Sequence, residues 1–125
     1  MPPDYDMLHE EQWMSEQDQY QLVLCTCPDQ DSAQLIAEQL VDNSLAACVN
    51  ILPGIISVYR WLGSREQAQE HLLIIKTISQ VYDRLEETIR ELHPYELPEV
   101  IAVSIENGNI DYLNWVSDNI NTIPG

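Results

Sequence analysis

Apolar residues recur along the chain with two spacings, and each spacing predicts a different secondary structure. Short apolar runs rich in β-branched and aromatic residues are typical of strands. Such runs predict four strands, at residues 20–27, 46–61, 70–77 and 99–105. Apolar positions three and four residues apart predict two helices, one through Ala33, Ile36, Ala37, Leu40 and Val41, and one through Tyr82, Leu85, Ile89 and Leu92.

Prolines and capping residues mark where these elements begin and end. Pro28 ends the first strand, and Pro94 ends the second helix because the residue before a proline is disfavoured in the helical region. Side chains that accept a hydrogen bond from a first-turn N–H favour helix starts. The predicted N-caps are Asp29 or Asp31 for the first helix, Ser79 for the second, and Asn109 for a short last helix.

The middle of the chain predicts a long hairpin. Pro53 and Gly54 interrupt its first strand and predict a bulge or bend there. The polar segment 62–69, which contains Gly63, is predicted to be the turn. The element order is then β-α-β-β-α-β plus a short C-terminal helix, which is the order of an α+β, ferredoxin-like (split βαβ) sandwich.

The strands are apolar on both faces, which a two-layer sandwich does not explain. A sheet with one solvated face alternates polar and apolar residues, whereas LVLC, HLLIIK and VIAVSI are nearly continuous apolar runs. A monomer does not tolerate an exposed apolar face much larger than a few hundred Å². The sequence therefore predicts a homo-oligomer in which the second sheet face is covered by other copies of the chain.

The chain divides into a leader, one domain and a short tail. Residues 1–18 are acidic, contain no Lys or Arg, and predict a flexible leader. Residues 19–121 form the predicted domain, and 122–125 the tail. No apolar run approaches the ~18 residues of a membrane span, and the N-terminus lacks a signal-peptide pattern. With an odd count of three cysteines, this predicts a soluble, cytoplasmic protein with free thiols.

The charge excludes some partners and favours others. The formal net charge is −16, with 21 acidic residues against 5 basic ones. Nucleic acids and anionic membranes are bound through Lys and Arg, so neither is a predicted partner. A negative field of this size raises the local concentration of cations.

Three residues are candidates for metal chemistry from their own positions. Cys25 and Cys27 lie two residues apart on a predicted strand, so both point to one face. They could hold a soft ion such as Cu(I) or a borderline one such as Zn²⁺, or act as small buried hydrophobes. His93 could be a ligand, or could interact with the dipole of the helix that it ends.

Catalytic signatures are missing from the sequence. It contains no GxSxG, GxxxxGK[ST] or HExxH motif, and four glycines provide no phosphate-binding loop. The sequence predicts a protein that is not an enzyme and has no obligatory cofactor.

Four long motifs follow one another along the predicted domain: LAACVNILPGIISVYRW at 45–61, LLIIKT at 72–77, HPYELPEV at 93–100 and GNIDYLNWV at 108–116. Together they closely resemble the CutA divalent-cation tolerance family. The resemblance implies a ferredoxin-like protomer in a homotrimer, and tolerance of copper or other divalent cations bound at subunit clefts. It also implies Cys25, His93 and Glu99 as copper ligands. Leu92 occupies the first position of a family His pair, so only His93 remains of that pair.

The resemblance also supports an alternative function. The family trimer resembles that of the PII signalling proteins, which implies a signalling or scaffold protein that binds a small organic ligand or a partner protein. Tyr95, Trp61, Tyr112 and Trp115 could line its clefts, since each combines an apolar ring with a polar group.

Overall fold

The computed structural model describes residues 19–122, which form one antiparallel sheet with helices packed on it. The predicted leader, 1–18, and residues 123–125 of the predicted tail lie outside the described residues. The elements are β1 Tyr20–Cys27, α1 Gln30–Asp42, β2 Cys48–Trp61, β3 Ser64–Ile78, α2 Tyr82–Leu92, β4 Ile101–Ser104 and α3 Ile110–Asp118. Within 19–122, no helix combines the length and the apolar character needed to cross a membrane.

The sheet order is β2-β3-β1-β4, and every neighbouring pair of strands is antiparallel. Together with the element order, this confirms the predicted α+β, ferredoxin-like sandwich. The two central strands, β3 and β1, carry the buried side of the sheet. The core lies between this side and the helices, and its fully buried aliphatic residues include Val23, Leu73, Ile75, Ile36, Leu40, Leu85 and Ile89.

The first helix forms as its sequence predicts. The Asp29 carboxylate accepts a hydrogen bond from the Ser32 backbone N–H at 2.8 Å, so Asp29 is the N-cap. Four of the five predicted apolar positions are buried, and Val41 is the exposed exception. Burying a Leu or Ile side chain contributes about 1.5–3 kcal/mol. Packing therefore contributes more to this helix than its cap does.

The long hairpin contains the predicted bulge but not the predicted turn. The pairing register of β2 and β3 shifts between Leu52 and Ile55, and Gly54 supplies the positive φ of 75° needed there. The prediction of a polar turn over 62–69 was wrong, because the strands pair up to Trp61 and Ser64. Polar side chains in this stretch belong to solvent-exposed strand, which composition does not distinguish from a turn.

Three other elements begin at residues that differ from the prediction. The second helix does not begin directly after Ser79; a 3-10 turn, Ser79–Val81, comes before it, and the Ser79 hydroxyl accepts a hydrogen bond from the Gln19 N–H at 2.7 Å. The second strand begins at Cys48 rather than at 46, because the Ala46 N–H donates to the Leu40 carbonyl of α1 and is not free to pair with β3. The last strand spans 101–104 instead of 99–105.

The second sheet face is apolar and only partly covered. Leu22 and Leu24 of β1 pair with Val103 and Ile101 of β4, so all four point to this face. Ile101 and Val103 are about half exposed. The helix α3 covers one end of the face, where the Tyr20 hydroxyl donates to the Ser117 hydroxyl oxygen at 3.4 Å. Most of this face is therefore available to another chain.

Candidate functional site

Two thiols and one imidazole meet at the end of β1, on the helix side of the sheet. Strand alternation points Cys25 and Cys27 to the same side, and both are 0% exposed. His93, which follows the last residue of α2, is 8% exposed and lies against them. One ligand atom from each of the three residues lies within 4.8 Å of the other two. Strand spacing predicted that the two thiols share a face, and the family resemblance implied His93 beside Cys25; the structure brings all three together.

The hydrogen bonds of His93 assign its tautomer. Its Nδ1 accepts a hydrogen bond from the Tyr95 backbone N–H at 3.0 Å, so this nitrogen carries the lone pair. Nε2 therefore carries the proton and donates it to the Thr26 carbonyl oxygen at 2.8 Å. Both nitrogens are engaged, and the ring ties the segment after α2 to the end of β1.

The two thiols differ in acidity because they lie within 4.8 Å of each other and compete for a proton, while the Cys25 thiol is also directed at the Thr26 carbonyl oxygen, 3.9 Å away. The interaction with Cys27, followed by burial and by the charges of Glu99 and Glu70, raises the pKa of Cys25. The interaction with Cys25 lowers the pKa of Cys27, against the opposing effect of burial. Cys25 therefore retains its proton more firmly, and Cys27 is the thiol that ionises more readily.

Glu99 does not join this group. Its side chain is exposed, and among the described residues the group within 4.8 Å contains only the two thiols and His93. The Glu99 carboxylate is still close enough for its negative charge to raise the pKa of Cys25. Of the three residues that the family resemblance implies, the fold thus brings together Cys25 and His93.

A buried carboxylate supports the same segment. Glu70, near the middle of β3, is 6% exposed, and its Oε2 accepts a hydrogen bond from the Tyr95 hydroxyl at 2.8 Å. Burial and then this bond raise the pKa of Tyr95. Sequence reasoning missed Glu70, because the two residues are 25 positions apart and no local pattern connects them.

The donor set suits a soft ion only in part. Thiolates select Cu(I), zinc and iron–sulfur clusters, so Cys25 and Cys27 fit copper. A structural zinc site needs four ligands, which the described residues do not bring together here. His93 does not fit as a ligand in its present hydrogen bonding, because a metal needs the lone pair that Nδ1 directs to Tyr95.

The third thiol, Cys48, belongs to a different environment. It lies opposite Lys76 on the second sheet face, and the Lys76 ammonium nitrogen is 3.9 Å from its sulfur. Cys25 pairs with Leu73 and points to the helix side of the sheet, whereas Cys48 pairs with Lys76. Leu73 and Lys76 are three positions apart on β3 and point to opposite faces, so Cys48 is on the other side of the sheet.

Known proteins share this sequence and fold. The sequence profile of a family described as "CutA1 divalent ion tolerance protein" matches residues 21–119. The chain is 46% identical over 99 residues to the Divalent-cation tolerance protein CutA of Thermus thermophilus, covering 79% of this chain and 96% of that protein. It is 44% identical over 106 residues to human Protein CutA, covering 79% of this chain but only 59% of the human protein.

Structural similarity agrees with the sequence matches. The solved structure of a divalent cation tolerance protein (Cut A1) from Thermus thermophilus superposes with a TM-score of 0.81. It is 44% identical, and the match covers 82% of this chain and 99% of that one.

Proposed function

The chain belongs to the CutA1 divalent ion tolerance protein family, and from that premise we propose a metal-binding function in the cytoplasm. In this proposal it is a homotrimer that binds copper or another divalent ion weakly at clefts between subunits and so contributes to divalent-cation tolerance. It acts by binding, without catalysis.

The proposed assembly is supported by apolar surface that a monomer would leave in water. On β4, Ile101 and Val103 are exposed, and on the hairpin so are Ile56, Val58 and Trp61. Contiguous apolar surface beyond a few hundred Å² is typical of an interface. Light scattering on the purified protein is expected to give three times the protomer mass. A monomer at micromolar concentration would contradict the assembly.

The proposed metal site centres on Cys25. The single observation that carries it is the buried group of Cys25, Cys27 and His93, because a thiolate suits copper or zinc better than magnesium or calcium. Glu99, exposed beside this group, is the remaining ligand that the family resemblance implies, although His93 would first have to release Tyr95. The net charge of −16 concentrates cations around the whole protein.

Titration calorimetry with Cu²⁺ and Zn²⁺ tests this proposal. Wild-type protein should bind at least one of these ions, and Cys25→Ala should weaken binding while Cys48→Ala leaves it unchanged. Affinity should rise with pH, because a thiol must lose its proton to ligate. Equal uptake by wild type and Cys25→Ala would remove this thiol from the site.

A cytoplasmic location is proposed from the state of the thiols. Cys25, Cys27 and Cys48 are all free, although the sulfurs of the first two lie within 4.8 Å. Free thiols in an odd number, here three, are typical of a reducing compartment. Fractionation of the cells that produce the protein would test the assignment, with periplasmic or organellar recovery as the contrary result.

An exposed aromatic pair supports the alternative, a PII-like signalling or scaffold trimer. The rings of Tyr112 and Trp115 lie 5.5 Å apart with an interplanar angle of 34°, and both are more than one-third exposed. Such a pair could receive an organic ligand or a protein. A thermal-shift screen of metals against metabolites separates the two functions. Greater stabilisation by a metabolite than by any metal at equal concentration would favour the alternative.

A further inference from the structure

We propose that Cys25 and Cys27 bind Cu(I) as a two-sulfur site, with His93 as a tether for the covering segment and not as a ligand. This inference rests on the proposed function, because it keeps copper as the ion and Cys25 as a ligand, but it replaces His93 and Glu99 with Cys27. Cys27 is the ligand that the family resemblance did not imply.

The separation of the sulfurs fits a two-coordinate ion. With metal–sulfur bonds of about 2.3 Å, the length found in zinc thiolates, a linear S–metal–S unit spans about 4.6 Å. The two Sγ atoms lie within 4.8 Å of each other, which is close enough for one ion to contact both. Each thiol releases its proton to solvent as its copper–sulfur bond forms, and the copper stays Cu(I) throughout.

Among residues 19–122, His93 is the only other His, Cys, Asp or Glu whose ligand atom lies in the group with the two sulfurs. The His93 lone pair is directed at the Tyr95 N–H, and its other nitrogen donates to Thr26. Both thiols are 0% exposed, which leaves no room for the water ligands that harder divalent ions retain. Thiolate donors alone, in a dry site, favour a soft monovalent ion over Mg²⁺ or Ca²⁺.

The same burial means that the ion must enter through a local opening. The segment that lies against the thiols is held by His93 on Thr26 and by Tyr95 on Glu70. Removing the Tyr95 hydroxyl should loosen this segment without touching either sulfur. Tyr95→Phe is therefore expected to speed Cu(I) uptake and release together and to leave the affinity nearly unchanged.

Competition with a chromogenic Cu(I) chelator under anaerobic, reducing conditions tests the ligands. Wild type and Cys48→Ser should withdraw one Cu(I) per chain from the chelator. Cys25→Ser and Cys27→Ser should each weaken binding by more than about 100-fold, the upper cost of changing a group that only supports a ligand. His93→Gln, whose amide can both donate and accept, and Glu99→Gln should each change affinity by less than about 10-fold. Thermal unfolding verifies that each variant is folded.

Copper-edge X-ray absorption gives an independent readout. The expected spectrum has two sulfur scatterers and no imidazole nitrogen. A nitrogen contribution that disappears in His93→Gln would overturn the inference, as would unchanged Cu(I) affinity in Cys27→Ser. If the protein binds Cu²⁺ or Zn²⁺ through Cys25 but does not bind Cu(I), the inference fails while the proposed function stands.

Discussion

The Tyr95 hydroxyl donates a hydrogen bond of 2.8 Å to the carboxylate of Glu70, which is 6% exposed. This bond joins the irregular segment after α2 to the middle of β3. A buried charge without a hydrogen-bond partner is costly, so the pair holds the segment in place against the thiols.

Tyr95→Phe should therefore destabilise the protein. The change leaves the Glu70 carboxylate buried without this donor, and the expected loss is about 1–3 kcal/mol in the free energy of unfolding. Urea denaturation at one fixed protein concentration measures it, since the stability of an oligomer depends on concentration. Removing both polar groups, in Tyr95→Phe with Glu70→Leu, should cost less than the sum of the single changes. Strict additivity would contradict the coupling.

Replacing His93 should separate the contribution of its hydrogen bonds from the contribution of its ring packing. His93→Ala leaves the Thr26 carbonyl and the Tyr95 N–H without their partner, and it should cost about 2 kcal/mol or more. His93→Gln can restore both hydrogen bonds and should retain most of the stability. Chemical denaturation of the two variants checks this. Equal losses in both would indicate that ring packing, not hydrogen bonding, holds the segment.

The hairpin turn contains a residue poorly suited to its backbone. Leu62 has a φ of 51° and Gly63 a φ of 83°, which is the positive-φ pair of a type I′ turn. Asn tolerates this conformation far better than Leu, and Leu62 is 90% exposed in the protomer. Leu62→Asn should raise the free energy of unfolding by about 1 kcal/mol. A decrease would show that the Leu62 side chain is packed in the assembled protein.

Gly63→Ala should act in the opposite direction at the same turn. A methyl group at Gly63 meets nothing within 4 Å, so the change tests backbone conformation alone. The positive φ should cost about 1–2 kcal/mol. Thermal unfolding that matches wild type would indicate that the turn changes its type.

Alkaline pH should weaken the contribution of Tyr82. Burial, followed by the hydrogen bond to Glu86, raises the pKa of Tyr82 from 10.0 to about 12. Because the folded-state pKa is above the unfolded one, the protonated phenol stabilises the fold below pH 10, and this contribution is lost as the pH rises towards 12. The stability difference between wild type and Tyr82→Phe should shrink over this window. A difference that stays constant would mean that the phenol does not titrate there.

Local sequence determined much of the framework, because neighbouring residues carry periodicity and capping. The bounds of β1, the N-caps Asp29 and Asn109, and the bulge at Gly54 all agree with their predictions. The apolar character of both sheet faces was also evident in the strand composition. The position of the hairpin turn was not evident from the sequence, because exposed strand residues are as polar as turn residues.

Contacts between distant parts of the chain were decided only by the tertiary structure. Strand alternation alone put Cys25 and Cys27 on one face, yet whether His93 joined them depended on how the end of α2 meets β1, 67 residues away at Thr26. The hydrogen bonds of both imidazole nitrogens, and the exposure of Glu99, likewise follow from packing. A sequence supplies the donor atoms of a site, whereas the fold decides which lone pairs remain free to bind an ion.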